Sequence, residues 1–252
     1  MKETTIPALK KTSAAWSSPL LTAIFPTPCC ACGEWLGKEE KITCAVCSEM
    51  ITPLPHPRCP RCSTPFTSEF ALTESPTHLC GTCRKSPPPF DLAVSGGEYA
   101  GPLRDLLHAF KFTQRPDLAQ PIIKLTMGTV AVPDADMIMA VPLHPGRLRR
   151  RGYNQSLLLA MEVGRILDIP LSIDDLARIR PTRPQMELKH NEREQNIAGA
   201  FKVMHPNRVD NKRVLLVDDI YTTGSTVREC GKMLKQSGAR EVFVLTVAMV
   251  VL

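Results

Sequence analysis

The stretch VLLVDDIYTTGST, residues 214–226, decides how the rest of the chain is interpreted. Its first four residues are apolar and rich in β-branched side chains, which predicts a strand buried on both faces, as in a parallel sheet. Asp218 and Asp219 follow at the predicted carboxyl end of this strand, where open α/β sheets bind ligands. Two adjacent carboxylates repel each other unless a cation or hydroxyl donors satisfy them. A ribose diol beside Mg²⁺ would supply both.

The second half of the stretch has the composition of a phosphate-binding loop. Four hydroxyl side chains surround one glycine: Thr222, Thr223, Gly224, Ser225 and Thr226. Glycine lets the backbone turn so that the amides at the start of the next helix face an anion. The alternative is a buried strand followed by an ordinary capped helix, which explains neither the paired aspartates nor the density of hydroxyls.

The whole stretch resembles the PRPP-binding signature of type I phosphoribosyltransferases, in which two acidic residues and a Thr/Gly-rich loop follow an apolar strand. This resemblance implies that Asp218 and Asp219 hold the ribose hydroxyls of PRPP with Mg²⁺, and that residues 222–226 hold its 5′-phosphate. The surrounding segments fit the implied α/β fold, a parallel sheet flanked by helices. Apolar patterns predict strands over 137–141 and 241–250, and helices over 103–110, 117–129 and 225–236.

Composition indicates two unequal parts. The chain has 252 residues with 43% hydrophobic content, and its net charge of +6 is compatible with phosphorylated ligands or nucleic acid and diagnostic of neither. Residues 86–89 (SPPP) predict a stiff boundary. We therefore predict a tail with a short apolar helix over 1–28, a cysteine-rich domain over 29–85 and an α/β domain over 90–252. Since 1–28 contains neither a secretory nor a membrane signal, we expect a cytoplasmic protein with no membrane insertion.

The cysteine-rich domain contains four C-x-x-C pairs, which is the spacing of zinc knuckles. Two knuckles complete one Cys₄ site, so four pairs predict two structural zinc ions that supply the folding energy of a double zinc ribbon. Cross-braced pairing, Cys30 in place of Cys29, a redox dithiol and a disulfide scaffold are the alternatives. In the simplest, sequential pairing the ligands are Cys29, Cys32, Cys44 and Cys47 on one ion, and Cys59, Cys62, Cys80 and Cys83 on the other.

Two basic segments complete the predicted site. VPLHPGRLRRRGYNQ, residues 141–155, follows the strand at 137–141 and predicts a cationic loop before a helix that begins near Asn154. Guanidinium groups match the oxygens of pyrophosphate, although a solvated charge run or a nucleic-acid patch is the alternative. The candidate pyrophosphate residues are His144, Arg147, Arg150 and Arg151, and the candidate catalytic residues are Asp218, Asp219, Arg147 and Arg151.

The long polar segment 178–201 predicts a flap that covers the active site, with an ordinary exposed helix as the alternative. The candidate flap residues are Arg180, Gln185, Arg193 and Asn196.

Taken in order, the cysteine pairs, VPLHPGR with RGYNQ, RIRPT and LLVDDIYTTGST resemble the ComF (competence protein F) family from Cys29 to the end of the chain. The resemblance implies a phosphoribosyltransferase-like protein with a zinc ribbon, associated with the uptake and processing of DNA during natural transformation. It does not imply an acceptor substrate.

Three functions remain open at this point. The chain is a transferase that moves ribose 5-phosphate from PRPP-Mg²⁺ to a nucleophile, or a sensor of PRPP or a nucleotide that performs no reaction, or an adaptor for single-stranded DNA. The adaptor would work with a competence helicase or other DNA-processing proteins. We favour the transferase as the chemistry and the DNA-related role as the physiological setting.

Overall fold

The computed structural model describes residues 27–37, 40, 42–68, 75–183 and 190–251. The predicted tail and apolar helix of 1–28 lie outside the described residues except for Thr27 and Pro28, and so does Gln185 of the predicted flap. Across the described ranges, no helix has both the length and the apolar character needed to span a membrane.

The centre of the molecule is a five-stranded parallel sheet with the strand order β1-β7-β6-β2-β3. A separate antiparallel pair, β4 and β5, lies outside it. The fold is therefore the predicted α/β fold. The strands are β1 Leu92–Glu98, β2 Met137–Ala140, β3 Leu171–Ser172, β4 Leu176–Arg178, β5 Phe201–Val203, β6 Arg213–Tyr221 and β7 Glu241–Met249.

Strand β6 lies in the middle of the sheet, and the side chains of its run Val214–Val217 are completely buried. The strand is longer than the sequence predicted, because β7 offers a partner for most of its residues: Asp218 pairs with Thr246, and Tyr221 pairs with Met249. The two aspartates therefore lie within the last residues of the strand and not after it. Their positions are consequently fixed by the ladder of the sheet.

Helices pack on both faces of this sheet. The helix predicted over 225–236 has those bounds, while the one predicted over 117–129 is a 3₁₀ turn, Pro116–Leu118, followed by a shorter α-helix. The helices are α1 Ala45–Glu49, α2 Gly81–Lys85, α3 Gly101–Phe112, α4 Ala119–Met127, α5 Pro145–Arg151, α6 Gln155–Leu167, α7 His190–Ile197, α8 Pro206–Val209 and α9 Ser225–Gln236.

The arginine-rich segment is a helix, α5, and the prediction of a loop was wrong. Pro145 occupies the first helical turn, where a missing amide proton costs nothing, and the His144 side chain accepts a hydrogen bond from the Gly146 amide. Gly152 ends the helix with a φ of 81°, a left-handed conformation that glycine adopts without strain.

The cysteine-rich segment covers the outer edge of the sheet. Strand β1 is an edge strand, and the Ala93 amide donates to the Arg61 carbonyl at 2.9 Å while the Glu98 amide donates to the Thr52 carbonyl at 2.9 Å. Backbone groups that would otherwise be open to another chain are therefore satisfied by residues 52–61.

Candidate functional site

The two aspartates at the end of β6 are held by side chains from two different helices. Asp218 Oδ1 accepts hydrogen bonds from the Ser156 hydroxyl at 2.8 Å and from the Asp219 amide at 3.0 Å. Asp219 Oδ2 lies 2.8 Å from the Lys111 ammonium nitrogen. Ser156 belongs to the first turn of α6, and Lys111 belongs to the last turn of α3. The carboxylate pair is thus the meeting point of the central strand and two helices.

The start of α6 is fixed by its capping residue. The Asn154 side chain accepts a hydrogen bond from the Ser156 amide at 3.2 Å and donates one to the Val141 carbonyl at 3.1 Å. One asparagine therefore joins the helix to the chain that leaves β2. This arrangement aims the Ser156 hydroxyl at Asp218.

Burial makes Asp218 a poor acid. Its pKa is raised to about 7, chiefly because burial removes water from the carboxylate and also because Asp219 carries a like charge, while Ser156 and Lys111 act in the opposite direction. The pair already has one cationic partner, the Lys111 ammonium. Two adjacent carboxylates that already pair with a lysine ammonium also fit a divalent metal ion, because such an ion takes carboxylate oxygens as ligands.

The loop after β6 is shaped by Gly224. This residue has a φ of 73°, and a Cβ at this position would overlap the hydroxyl of Tyr221, so no other residue fits here without rearrangement. The Thr223 hydroxyl donates to the Ser225 hydroxyl at 3.1 Å, and the Ser225 amide donates to Thr223 Oγ1 at 3.4 Å. Helix α9 begins at Ser225, so its first amides lie beside these hydroxyls, which is an arrangement suited to an anion.

Helix α5 and the first residues of the predicted flap line an open cavity of about 300 Å³. The Arg147 guanidinium donates to the Thr182 carbonyl at 3.0 Å and so joins helix and flap. Arg151 does not line this cavity, because its guanidinium donates to Gln155 Oε1 at 3.1 Å and lies 5.3 Å from the ring centre of Phe112. The lining residues are His144, Gly146, Arg147, Arg150, Pro181 and Thr182.

The predicted flap, residues 178–201, connects the paired strands β4 and β5 and contains helix α7. Arg180 donates to the backbone carbonyls of Asn196 and Ala198 at 3.0 and 2.7 Å, and the Asn196 side chain bonds to the backbone amide and carbonyl of Arg183, both at 3.1 Å. Two of the predicted flap residues thus connect the two sides of the flap to each other. The side chain of Arg193, like Gln185, lies outside the described residues.

Two candidate residues were not singled out from the sequence. Arg178, at the end of β4, is 7% exposed, donates to the Thr182 hydroxyl and stacks on the Phe201 ring, and burial followed by the charge of Arg147 lowers its pKa to about 10. Its Nε has no partner among the described residues. The second residue that the sequence did not single out is Lys111, because its position on a helix gave no sign that it faces Asp219. The first arginine of RIRPT was the one available signal for Arg178.

The cysteines form two groups of four in the sequential pairing: Cys29, Cys32, Cys44 and Cys47, and Cys59, Cys62, Cys80 and Cys83. The sulfur atoms of Cys32 and Cys44 are 3.7 Å apart, as are those of Cys62 and Cys80. A tetrahedral zinc ion with Zn–S bonds of about 2.3 Å requires sulfur atoms about 3.8 Å apart, so both groups fit zinc. Cys30 belongs to neither group.

Comparison with known proteins gives the family. The family model "Phosphoribosyl transferase domain" matches residues 154–250, and "Double zinc ribbon domain" matches residues 20–84. The DNA utilization protein YhgH of Escherichia coli K12 is 34% identical over 225 residues, which cover 86% of this chain and 94% of the relative. Competence protein F of Haemophilus influenzae is 34% identical over 228 residues, covering 86% of this chain and 95% of the relative. The chain belongs to the competence protein F family.

In this member of the competence protein F family, the two cysteine groups lie within the segment that matches the double zinc ribbon model. Solved structures are more distant. Adenine phosphoribosyltransferase from Thermoanaerobacter pseudethanolicus is 14% identical with a TM-score of 0.34, covering 58% of this chain and 85% of its own. Glutamine PRPP amidotransferase from B. subtilis is 23% identical with a TM-score of 0.38, covering 55% and 30%. The two relatives that are 34% identical over 86% of the chain confirm the resemblance to the competence protein F family.

Proposed function

We propose that this member of the family binds PRPP with Mg²⁺ at the carboxyl end of β6 and transfers its ribose 5-phosphate to a nucleophile with release of pyrophosphate. The observation that carries the proposal is the carboxylate pair Asp218–Asp219, held by Ser156 and Lys111 directly before a hydroxyl-rich loop at a helix start. A ribose 5-phosphate has a diol and a phosphate at its two ends, which matches these two groups.

The roles of the remaining residues follow from charge and position. Asp218 and Asp219 would hold Mg²⁺ and accept hydrogen bonds from the ribose hydroxyls, and the ion would supply positive charge to the departing pyrophosphate. The guanidinium groups of Arg147 and Arg150 line the cavity beside α5 and would donate to the pyrophosphate oxygens. Arg178 adds a third, buried guanidinium behind Thr182. Arg151 points elsewhere, so we assign it no part in the transfer.

The flap would protect the reacting ribose from water. Thr182 contacts both Arg147 and Arg178, so the flap already rests against the cationic groups at its base. Excluding water strengthens the electrostatic interactions inside the site and prevents hydrolysis in place of transfer. We therefore propose that segment 178–201 acts as a flap and not as an ordinary exposed helix.

The names of the relatives, DNA utilization protein and competence protein F, support a role of the proposed activity in the handling of DNA, and we propose that it acts in the cytoplasm. A second candidate is therefore an adaptor that binds single-stranded DNA and works with a competence helicase or other DNA-processing proteins. The observation that favours it is the exposure of Arg149 and Arg150 on α5, where they are available to a phosphate backbone. A PRPP sensor without catalysis would use the same carboxylate pair and loop.

The test is incubation of the zinc-loaded protein with PRPP, Mg²⁺ and a pool of nucleophilic acceptors, with pyrophosphate release and mass balance as the readouts. Release of one pyrophosphate for each phosphoribosylated acceptor formed would establish the transferase. Binding of PRPP-Mg²⁺ without pyrophosphate would favour the sensor. A double variant, Asp218→Ala with Asp219→Ala, should bind PRPP-Mg²⁺ roughly two to four powers of ten more weakly, since each charge-assisted bond contributes roughly 1.5 to 3 kcal/mol. Unchanged affinity in this variant would refute the site.

A further inference from the structure

We propose that Tyr221 is a positioning residue through which the second cysteine group, Cys59, Cys62, Cys80 and Cys83, fixes the phosphate loop. The inference rests on the proposed PRPP site, and it assigns that group a role within the site. The first group, Cys29, Cys32, Cys44 and Cys47, has no such role.

The two groups differ in their surroundings. The four cysteines of the second group are between 1% and 9% exposed, and they belong to the same hydrophobic cluster as Tyr221, Val227 and Met249. In the first group, by contrast, Cys32 is exposed and Cys44 is partly exposed. A zinc ion in the second group would therefore lie inside the core that supports the end of β6. An ion in the first group would lie near the surface.

Tyr221 lies between the second group and the loop. Its hydroxyl occupies the space directly beside Gly224, where even a Cβ would collide with it, and its side chain is 8% exposed. The Tyr221 side chain also packs in the hydrophobic cluster that contains the four cysteines of the second group. One aromatic side chain thus adjoins both the cysteines and the glycine on which the loop turns. A rigid neighbour restricts the conformations of a glycine, which is the residue with most freedom to lose.

A second connection runs through α9, whose first turn forms part of the phosphate loop. Ser86 follows the last cysteine of the group by three residues, and the Arg228 guanidinium donates to its carbonyl at 3.0 Å and to its hydroxyl at 2.6 Å. One turn further along α9, a Cβ on Gly231 would lie only 3.2 Å from the Pro89 carbonyl. The segment that leaves the cysteines therefore lies directly on the helix. Displacement of the second group would move both sides of the loop, the end of β6 and the start of α9.

A loop held in its binding conformation loses less entropy when phosphate arrives, so a loop without this support should bind phosphate more weakly. The mechanism requires no contact between zinc and ligand. It also requires no change in the protonation of Tyr221. Its consequence is that the two cysteine groups, although alike in sequence, should differ in their effect on ligand binding.

The first test is Tyr221→Leu, which keeps the eight cysteines of the two groups and an apolar side chain but removes the ring beside Gly224. With ribose 5-phosphate as the calorimetric probe, we expect affinity to fall roughly tenfold while two zinc ions per chain are retained. Tyr99→Leu, at the end of the edge strand β1, is the matched control. Equal affinity of Tyr221→Leu and the unaltered protein would overturn the inference. Failure of the unaltered protein to bind ribose 5-phosphate would instead count against the proposed function.

The second test does not need a ligand. Hydrogen exchange of the backbone amides in residues 222–226 is compared in Cys83→Ser and Cys44→Ser, each in the full chain. We expect exchange of these amides to accelerate at least tenfold in Cys83→Ser and to change little in Cys44→Ser, because only the second group adjoins Tyr221. Equal acceleration in both variants would contradict the inference. Should Cys83→Ser fail to fold, Tyr221→Leu takes its place in the comparison with Cys44→Ser. Faster exchange of residues 222–226 in Tyr221→Leu alone is then the expected result, and equal acceleration in both variants contradicts the inference.

Discussion

Replacing Asp218 by Asn should stabilise the protein at alkaline pH while it abolishes the proposed Mg²⁺-dependent binding. Asp218 is partly buried, and the loss of water around its carboxylate raises its pKa to about 7 from a usual 3.8. Between these two values the folded protein holds a proton that the unfolded chain releases. The free energy of unfolding therefore decreases as the pH rises through this window, and the stabilising contribution is complete only at pH values below 3.8.

The magnitude follows from the two pKa values. From pH 6 to pH 8 the linkage relation gives a loss on the order of 1 kcal/mol in the free energy of unfolding for this one carboxyl. Asparagine carries no charge, and its side-chain oxygen can still accept the hydrogen bonds that Asp218 Oδ1 accepts from the Ser156 hydroxyl and the Asp219 amide. The Asp218→Asn variant should therefore lack this part of the pH dependence.

The assay is urea unfolding of the zinc-loaded protein and of Asp218→Asn at pH 6 and pH 8. This range avoids the acidic conditions under which zinc-bound thiolates take up protons. The unaltered protein should lose roughly 1 kcal/mol more than the variant, since other groups that titrate in this range contribute equally to both proteins. Asp174→Asn, which removes an exposed carboxylate, is the control and should keep the pH dependence of the unaltered protein. Equal pH dependence in Asp218→Asn and the unaltered protein would refute the reasoning.

Three further outcomes are expected. Elemental analysis of protein purified without chelator should find two zinc ions per chain, and stable disulfides in their place would contradict the metal sites. Lys111→Met should bind Mg²⁺ roughly twofold to tenfold more tightly in calorimetry, because it removes the ammonium that competes for Asp219; weaker binding would contradict a shared cation position. Single-stranded DNA should bind weakly, lose affinity steeply between roughly 50 and 200 mM salt, and be displaced by PRPP-Mg²⁺ if Arg147 and Arg150 serve both ligands; fluorescence anisotropy without binding at low salt would exclude the adaptor for the isolated chain.

The parts of the fold that the sequence predicted are those set by local pattern. The segment 225–236 has a glycine before it and helical spacing within it, so this helix was predicted with the bounds that the structure has. The run Val214–Val217 has the composition of a doubly covered strand, so the core of β6 was predicted, although the strand extends to Tyr221. The four C-x-x-C pairs likewise carry their chemistry in a spacing of three residues. Such signals need no knowledge of the tertiary fold.

The contacts that complete the candidate site depend on the tertiary fold. Ser156 and Asp218 are 62 positions apart, and they meet because β2, which precedes α6, pairs with β6. Lys111 reaches Asp219 because α3 ends beside the same strand. No periodicity in the sequence encodes either meeting. The helical form of residues 145–151 was missed for a different reason, since repeated arginines suggested a cationic loop although Pro145 and the His144 cap favour a helix start.

The sequence predicts a stiff boundary at residues 86–89, but the segments on its two sides share backbone hydrogen bonds and a hydrophobic core in the structure. Strand β1 would present unpaired amides at Ala93 and Glu98 if residues 52–61 were absent, and an open edge of this kind invites pairing with other chains. The cysteine-rich segment, for its part, contributes its second group of thiols to a core made largely by β6, β7 and α9. Each part thus supplies what the other lacks, because the sheet needs a covered edge and the ribbon needs a hydrophobic support. The two regions that composition separates are therefore joined by backbone hydrogen bonds and by a common core.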